Sequence, residues 1–247
     1  MVFDLDGTLV KTEQLKAKSY ALAVLELCDN TFTEAQVLEA FKEVVGLLRR
    51  EVVNELIRRF NLHDADMAHI DEFGAHTAWQ AFVQIRIWHY EGMMEDPQIL
   101  LENRWAHNLE LLEQARHTGC KTGLATMSRC VQVQHVLKVL DLTGTFDFVA
   151  SRDDVERGKP DPEINLPGAD QLNVSPEDCL VIEDAPIGVR AALAAGMWCI
   201  AVSSPFTQKT LSKQSLLNPR WIVDEPETLT AVVETMFLER HSEAKLR

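Results

Sequence analysis

The sequence has no excess of positive charge: 24 Lys and Arg face 38 Asp and Glu across 247 residues, a formal charge of −14. Such a chain cannot replace the counterions of a nucleic-acid backbone or an anionic bilayer, so nucleic acid and membrane surfaces are excluded as bulk partners. It has no run of about 18 apolar residues able to span a bilayer. The opening segment MVFDLDGTLV carries Asp4 and Asp6 and no basic stretch, unlike a signal peptide, which points to the cytoplasm. Glycine and proline are scarce, at 11 and 9, which excludes a fibrous or largely disordered chain. The five cysteines (Cys28, Cys120, Cys130, Cys179 and Cys199) are odd in number and lack CxxC spacing. They read as free thiols in a reducing compartment, each a small core hydrophobe. The histidines include no HExxH or other metal spacing.

What is present is an ordinary globular composition, 46% hydrophobic and 25% charged, in a chain long enough for one large or two modest domains. Val2, Phe3 and Leu5 around Asp4 read as a buried strand emptying into a tight turn at Gly7. That strand begins almost at residue 1, which suggests that natural residues precede Met1. From about 12 to 92 the pattern is helical. In LRREVVNELIRRF the apolar Leu48, Val52, Val53, Leu56, Ile57 and Phe60 recur at helical spacing, with charged and polar residues on the other face. Trp79, Trp88 and Tyr90 read as packing residues of this helical stretch.

After Asp96-Pro97 the texture alternates. A helix through Trp105, Leu109, Leu112 and Ala115 closes at Thr118-Gly119. Strands come next at 121 to 126, 146 to 150, 179 to 184, 197 to 202 and 221 to 223, separated or succeeded by helices at about 130 to 140, from Asp161, from Pro186 and from about Pro226. Alternating strands and helices imply right-handed crossovers and an α/β doubly wound parallel sheet. The expected organisation is therefore an α/β core, 1 to 11 and 96 to 247, interrupted after its first strand by an all-helical insert, 12 to 95.

Ligands of open α/β sheets bind beyond the carboxyl ends of the strands. The polar residues there are Asp4 and Asp6, Thr126 and Ser128, Lys159 in a loop, and Glu183 with Asp184. Residues two apart on a strand share a face about 6 to 7 Å apart, so Asp4 and Asp6 can address one substrate. Asp161 and Pro162 read as a helix N-cap and first position, placing Lys159 just before a helix start. Ser128 reads as the N-cap of the helix at 130, and Asp153, Asp154 and Glu156 as a solvated loop.

Together, FDLDGTLVKTE at 3 to 13, LATMS at 124 to 128, GKPDPE at 158 to 163 and VIEDAPIGVRAALAAGM at 181 to 197 resemble the four ordered motifs of the haloacid dehalogenase superfamily, with the insert in the position of its mobile cap. The resemblance covers nearly the whole chain. It implies a core of the Rossmann-like kind with a helical cap domain. By it Asp4 is the nucleophile that forms an aspartyl-phosphate, and Asp6 the general acid and base. Thr126 and Lys159 would bind the phosphoryl group, and Asp4, Glu183, Asp184 and the backbone carbonyl of Asp6 would hold Mg²⁺. Arg49, three residues after Gly46, resembles in spacing the cap arginine of the sugar-phosphate branch, and Leu48 stands where a small Ser is common there.

Charge counting supports a cation independently. Asp4, Glu183 and Asp184 with a phosphate dianion face only Lys159, and like charges 4 Å apart repel by about 4 kcal/mol at an effective dielectric of 20.

The resemblance implies a Mg²⁺-dependent phosphatase acting on a small phosphorylated metabolite, as a monomer or homodimer. A sugar phosphomutase of the beta-phosphoglucomutase type is the alternative. That group has a Thr-and-His hinge soon after the first motif, whereas the first histidine here is His63. A dehalogenase or phosphonate hydrolase would lack Asp6. A phospho-receiver would be about half as long, with its reactive Asp on the third strand. A catalytically silent binding protein of the same fold is the remaining alternative, against which the intact motif residues stand.

Overall fold

The computed structural model describes residues 1–28, 31–44, 49–62 and 75–244, with no account of the side chains of 241–244. The chain divides into two compact units, Met1–Lys11 with Leu100–Arg247, and Thr12–Ile99.

The first unit is a six-stranded parallel sheet. Its strands are β1 (Val2–Phe3), β2 (Gly123–Ala125), β3 (Phe148–Ala150), β4 (Leu180–Glu183), β5 (Trp198–Val202) and β6 (Ile222–Val223), in the spatial order β3-β2-β1-β4-β5-β6. This is the doubly wound order that reverses direction beside β1, where such sheets open a crevice at their carboxyl ends. Strands covered on both faces read as continuous apolar runs, and Leu180, Val181 and Ile182 of β4 are all buried. The sheet is short because each strand gives way at once to the polar residues of its carboxyl end.

Numbering the helices along the whole chain, the second unit contains α1 (Thr12–Leu27), α2 (Glu34–Val44), α3 (Arg49–Phe60) and α4 (Ala78–Glu95). α1 packs on α2 and α4, and α3 packs on the same two helices. α3 buries Val52, Val53, Leu56, Ile57 and Phe60, the stripe expected from its spacing; Leu48 lies outside the described residues. Glu51 in its first turn and Arg58 and Arg59 in its last complement the helix dipole. The rings of Tyr20 and Phe41 stack with centroids 4.9 Å apart, and the Phe82 ring stacks on Tyr20 at 6.3 Å. Each such buried aromatic contributes about 1.5–3 kcal/mol through the area it removes from water.

α5 (Pro97–Glu102) carries the second boundary between the units, four residues beyond the expected one. The α/β unit continues with α6 (Ala106–His117), α7 (Cys130–Val139), α8 (Leu166–Gln171), α9 (Pro186–Ala194), α10 (Gln208–Gln214) and α11 (Leu229–Ala244). Four local readings change. The helix expected from Asp161 is a single 3-10 turn, Pro162–Ile164, with the short α8 after it. α10 was not anticipated, because QKTLSKQ buries only Leu211 and so carries no apolar period. Trp88 is 66% exposed rather than packed, and the indole of Trp79 carries the Arg50 guanidinium 5.4 Å above it. Cys179 and Cys199 are buried, but Cys120 and Cys130 are exposed, so only the former pair are core hydrophobes. Among the described residues, no helix is long and apolar enough to cross a membrane.

Candidate active site

The parallel register assembles the site. Phe3 pairs with Ile182 and with Leu124, so the next residues along the three central strands are Asp4, Glu183 and Ala125. The Asp4 amide donates to the Ile182 carbonyl at 3.0 Å, extending β1 by one more rung and setting the Asp4 carboxylate beside that of Glu183. After Leu5 the backbone turns back sharply. Gly7 has φ of 84°, a left-handed conformation that costs a side-chain-bearing residue strain. Its amide donates to the Val10 carbonyl at 2.7 Å. Asp6 therefore stands in the turn beyond β1, bridged to Val10, rather than on the strand as expected.

Lys159 enters from the loop after β3. Its ammonium donates to Asp4 Oδ1 at 2.7 Å, to the Ala125 carbonyl at 3.0 Å and to Glu183 Oε1. Those three partners use all three of its protons. The side chains of Lys159, Asp4 and Glu183 are 5%, 7% and 2% exposed, so this is a buried ion cluster and not a surface lysine. The expected cap forms beside it, with Asp161 Oδ1 accepting from the Glu163 amide at 3.1 Å.

Glu183 is held from behind by the next stretch of chain. Its Oε2 accepts from the amides of Asp184, at 3.0 Å, and Ala185, at 3.3 Å, just ahead of α9. Pro186 opens that helix, where its missing N–H costs nothing. Gly188, in the first turn, lies flat against the carboxylate: a Cβ there would come within 2.3 Å of all three carboxylate atoms. Glycine at 188 thus makes room for Glu183.

Asp4, Glu183 and Asp184 are all buried, and each offers a carboxylate oxygen within 4.8 Å of the others. Lys159 is shared by two of these three carboxylates, Asp4 and Glu183. Burial pushes Asp4 up to about 8; Lys159 opposes the rise, and Glu183 and Asp6 add to it. Burial by itself would lower Lys159, but Asp4 and Glu183 more than offset it, and its net shift is upward. The cluster is short of positive charge, and its donors are all hard oxygens. Both properties suit Mg²⁺ rather than a softer metal.

Thr126, fully buried, extends β2 through its amide bond to the Ala150 carbonyl at 3.0 Å. Its Oγ1 lies 3.4 Å from Asp6 Oδ2. Ser128 is a correction: it is not a helix cap, and its hydroxyl bonds Asp6 Oδ2 directly. The capping work falls to Asp153, whose Oδ2 accepts from the Cys130 amide at 2.8 Å. Asp154 likewise accepts from the amide and hydroxyl of Ser151, at 2.8 and 2.6 Å. These acidic residues are exposed but tied to the backbone, and so differ from the freely solvated loop expected.

The structure thus gathers Asp4, Asp6, Thr126, Lys159, Glu183 and Asp184 at one end of the sheet, and adds Ser128. Arg49 belongs to the helical unit, where it is exposed at the first position of α3. Gly46 and Leu48, which set its motif, lie outside the described residues, as does His63.

Comparisons with known proteins bear on the family and the fold. The family profile described as haloacid dehalogenase-like hydrolase matches residues 1–202. A phosphorylated carbohydrates phosphatase of Thermotoga maritima is 31% identical over 197 residues, 80% of this chain and 81% of its own. The beta-phosphoglucomutase of Bacillus subtilis is 30% identical over 207 residues, 82% of each. Among solved structures, a candidate beta-phosphoglucomutase of Thermotoga maritima superposes with a TM-score of 0.67 at 26% identity, covering 95% of this chain and 97% of its own. With the profile spanning most of the sequence and its motif carboxylates converging on one lysine, the chain belongs to the haloacid dehalogenase-like hydrolases.

Proposed function

We propose that this hydrolase is a Mg²⁺-dependent phosphatase that cleaves small phosphate monoesters through an aspartyl-phosphate on Asp4. The observation that carries the reading is the buried cluster in which Lys159 aligns Asp4 and Glu183 beside Asp184, with Asp6 in the turn that directly follows Asp4 and Leu5. Related proteins named as phosphatases of phosphorylated carbohydrates and of validoxylamine A 7'-phosphate support the substrate class.

In the first step an Asp4 carboxylate oxygen attacks phosphorus, the bond from phosphorus to the ester oxygen breaks, and Asp6 delivers its proton to the departing alkoxide. In the second, Asp6 takes a proton from water, the resulting hydroxide attacks phosphorus, and Asp4 is released with inorganic phosphate. Lys159 orients Asp4 and carries positive charge toward the phosphoryl oxygens, to which Thr126 donates. Asp4, Glu183, Asp184 and the Asp6 carbonyl would hold Mg²⁺, which when bound supplies the charge that lets a dianionic ester approach three carboxylates. Arg49 is the proposed contact from the helical unit to the remainder of the substrate. The proposed partner is a small phosphorylated metabolite, with the chain acting as a monomer or homodimer.

The second reading is a sugar phosphomutase, favoured by the beta-phosphoglucomutase relative at 30% identity. Phosphate release from a panel of phosphate esters that includes beta-glucose 1-phosphate, with Mg²⁺ and with chelator, decides between them. Mg²⁺-dependent release that vanishes in Asp4→Asn is the expected result. Conversion of the glucose ester to its 6-phosphate without release would establish the mutase instead. Equal rates in the Asp4→Asn variant and the wild type would overturn both.

A further inference from the structure

Asp6 has to present one particular oxygen if it is to serve a leaving group, and the residues around it treat its two oxygens unequally. Both side-chain hydrogen bonds to its carboxylate converge on Oδ2. One comes from the Ser128 hydroxyl and the other, longer at 3.4 Å, from the Thr126 hydroxyl. The Ser128 amide donates to Thr126 Oγ1 at 3.1 Å, which orients that hydroxyl and leaves its single proton for the phosphoryl group when substrate is bound. Ser128 is free for this task because the start of α7 is satisfied by Asp153, whose carboxylate accepts from the Cys130 amide. A serine in this position would otherwise be expected at that helix terminus.

We infer that Ser128 is a positioning residue for Asp6: its hydroxyl holds Oδ2, which fixes the rotation of the carboxyl group and sets Oδ1 as the oxygen turned away from that contact. Serine and threonine hydroxyls can donate or accept, so both contacts hold the carboxyl group in place throughout the proton transfer. The bond also restrains the carboxyl rotation that would otherwise exchange the two oxygens. The proton balance is that of the first chemical step. The Asp6 O–H bond breaks as the alkoxide oxygen is protonated, and the carboxylate left behind keeps the Ser128 hydrogen bond, which strengthens as the charge develops.

This rests on the phosphatase reading, and the test separates the two. The quantity to measure is kcat/KM, which spans only the steps up to alcohol departure. It is measured for an activated ester, p-nitrophenyl phosphate, and for an unactivated one, glycerol phosphate, with wild type, Ser128→Ala and Ser128→Thr. A nitrophenolate leaves with little protonic assistance, whereas an alkoxide needs it. Ser128→Ala is expected to lose about tenfold more kcat/KM on the alkyl ester than on the aryl ester, a difference of about 1.4 kcal/mol in transition-state stabilisation. Ser128→Thr, which keeps the hydroxyl, is expected to restore the wild-type ratio. Equal losses on both esters would overturn the inference and assign Ser128 to phosphoryl binding or to packing, leaving the phosphatase intact. An alanine variant with the wild-type ratio would also overturn it. No Mg²⁺-dependent release from either ester by the wild type would overturn the phosphatase reading, and the role of Ser128 with it.

Discussion

In the α/β unit the charges are buried and converge, with Lys159, Asp4, Glu183 and Asp184 nearly hidden from solvent at the ends of the central strands. In the helical unit they are spread over helix surfaces in exposed pairs, Glu55 with Arg58 and Glu43 with Arg59. Among the described residues the buried exception there is Arg86, 7% exposed, whose guanidinium lies over the rings of Tyr20 and Tyr90 at 5.0 and 4.9 Å. Burial lowers its pKa, with the tyrosines opposing the shift. One unit offsets buried charge with ion pairs and the other with π faces. The first arrangement is expensive unless a ligand completes it, which is why it marks a reaction site. The second lies among packed rings and serves the packing of the helices.

This contrast can be broken by substitution. The largest effect is expected for Asp4→Asn, which should lower phosphate release by more than about 10³-fold because no other carboxylate can take the nucleophile's place. Turnover within tenfold of wild type would remove Asp4 from that role. Lys159→Met should destabilise the fold by about 3 kcal/mol in chelator, since it strands Asp4 and Glu183 without their cation. Added Mg²⁺ should recover part of the loss, and thermal melts with and without the ion read both quantities. A melt that ignores Mg²⁺ would mean that the carboxylates do not gather a cation.

Gly188→Ala should cost about 1–3 kcal/mol, because a Cβ there displaces the Glu183 carboxylate from its amides. The same variant should raise the Mg²⁺ concentration needed for half-maximal release, and an unchanged requirement would argue that Glu183 tolerates the shift. In the helical unit, Arg86→Met removes the burial penalty and the ring contacts together, so stability should change by less than about 1 kcal/mol. Arg58→Ala, on an exposed pair, should leave the melting temperature where it was. A large loss at Arg58 would show that the two units do not differ in the way described.

Much of the catalytic end was legible because its residues come directly after short apolar runs. Asp4 succeeds Val2-Phe3, Thr126 succeeds Leu124-Ala125, and Glu183-Asp184 succeed Leu180-Val181-Ile182. A buried parallel strand must be apolar, so the polar residues that end it stand out. The amphipathic stripe of α3 was equally plain. Ser128 was misread because its local sequence suits a helix cap, and only the fold shows that Asp153, 23 residues later, satisfies the Cys130 amide. Trp88 was misread because periodicity shows which face a residue lies on, not whether anything covers that face. The short 3-10 turn after Asp161 kept its cap but not its length, since Asp161 and Pro162 favour a helix start without sustaining further turns.

The primary structure alone settled the alternation of strands and helices, the interruption after the first strand, and which side chains could bear the chemistry, because these depend on local patterns of polarity and on turn-forming residues. Tertiary structure decided which of those side chains meet. The register of β1 on β4 put Asp4 against Glu183, and a loop brought Lys159 between them from 155 positions away. The serine beside Asp6 was assigned by the same means, since the competition between two hydrogen-bonding partners is resolved only when residues distant in the chain arrive at the same place.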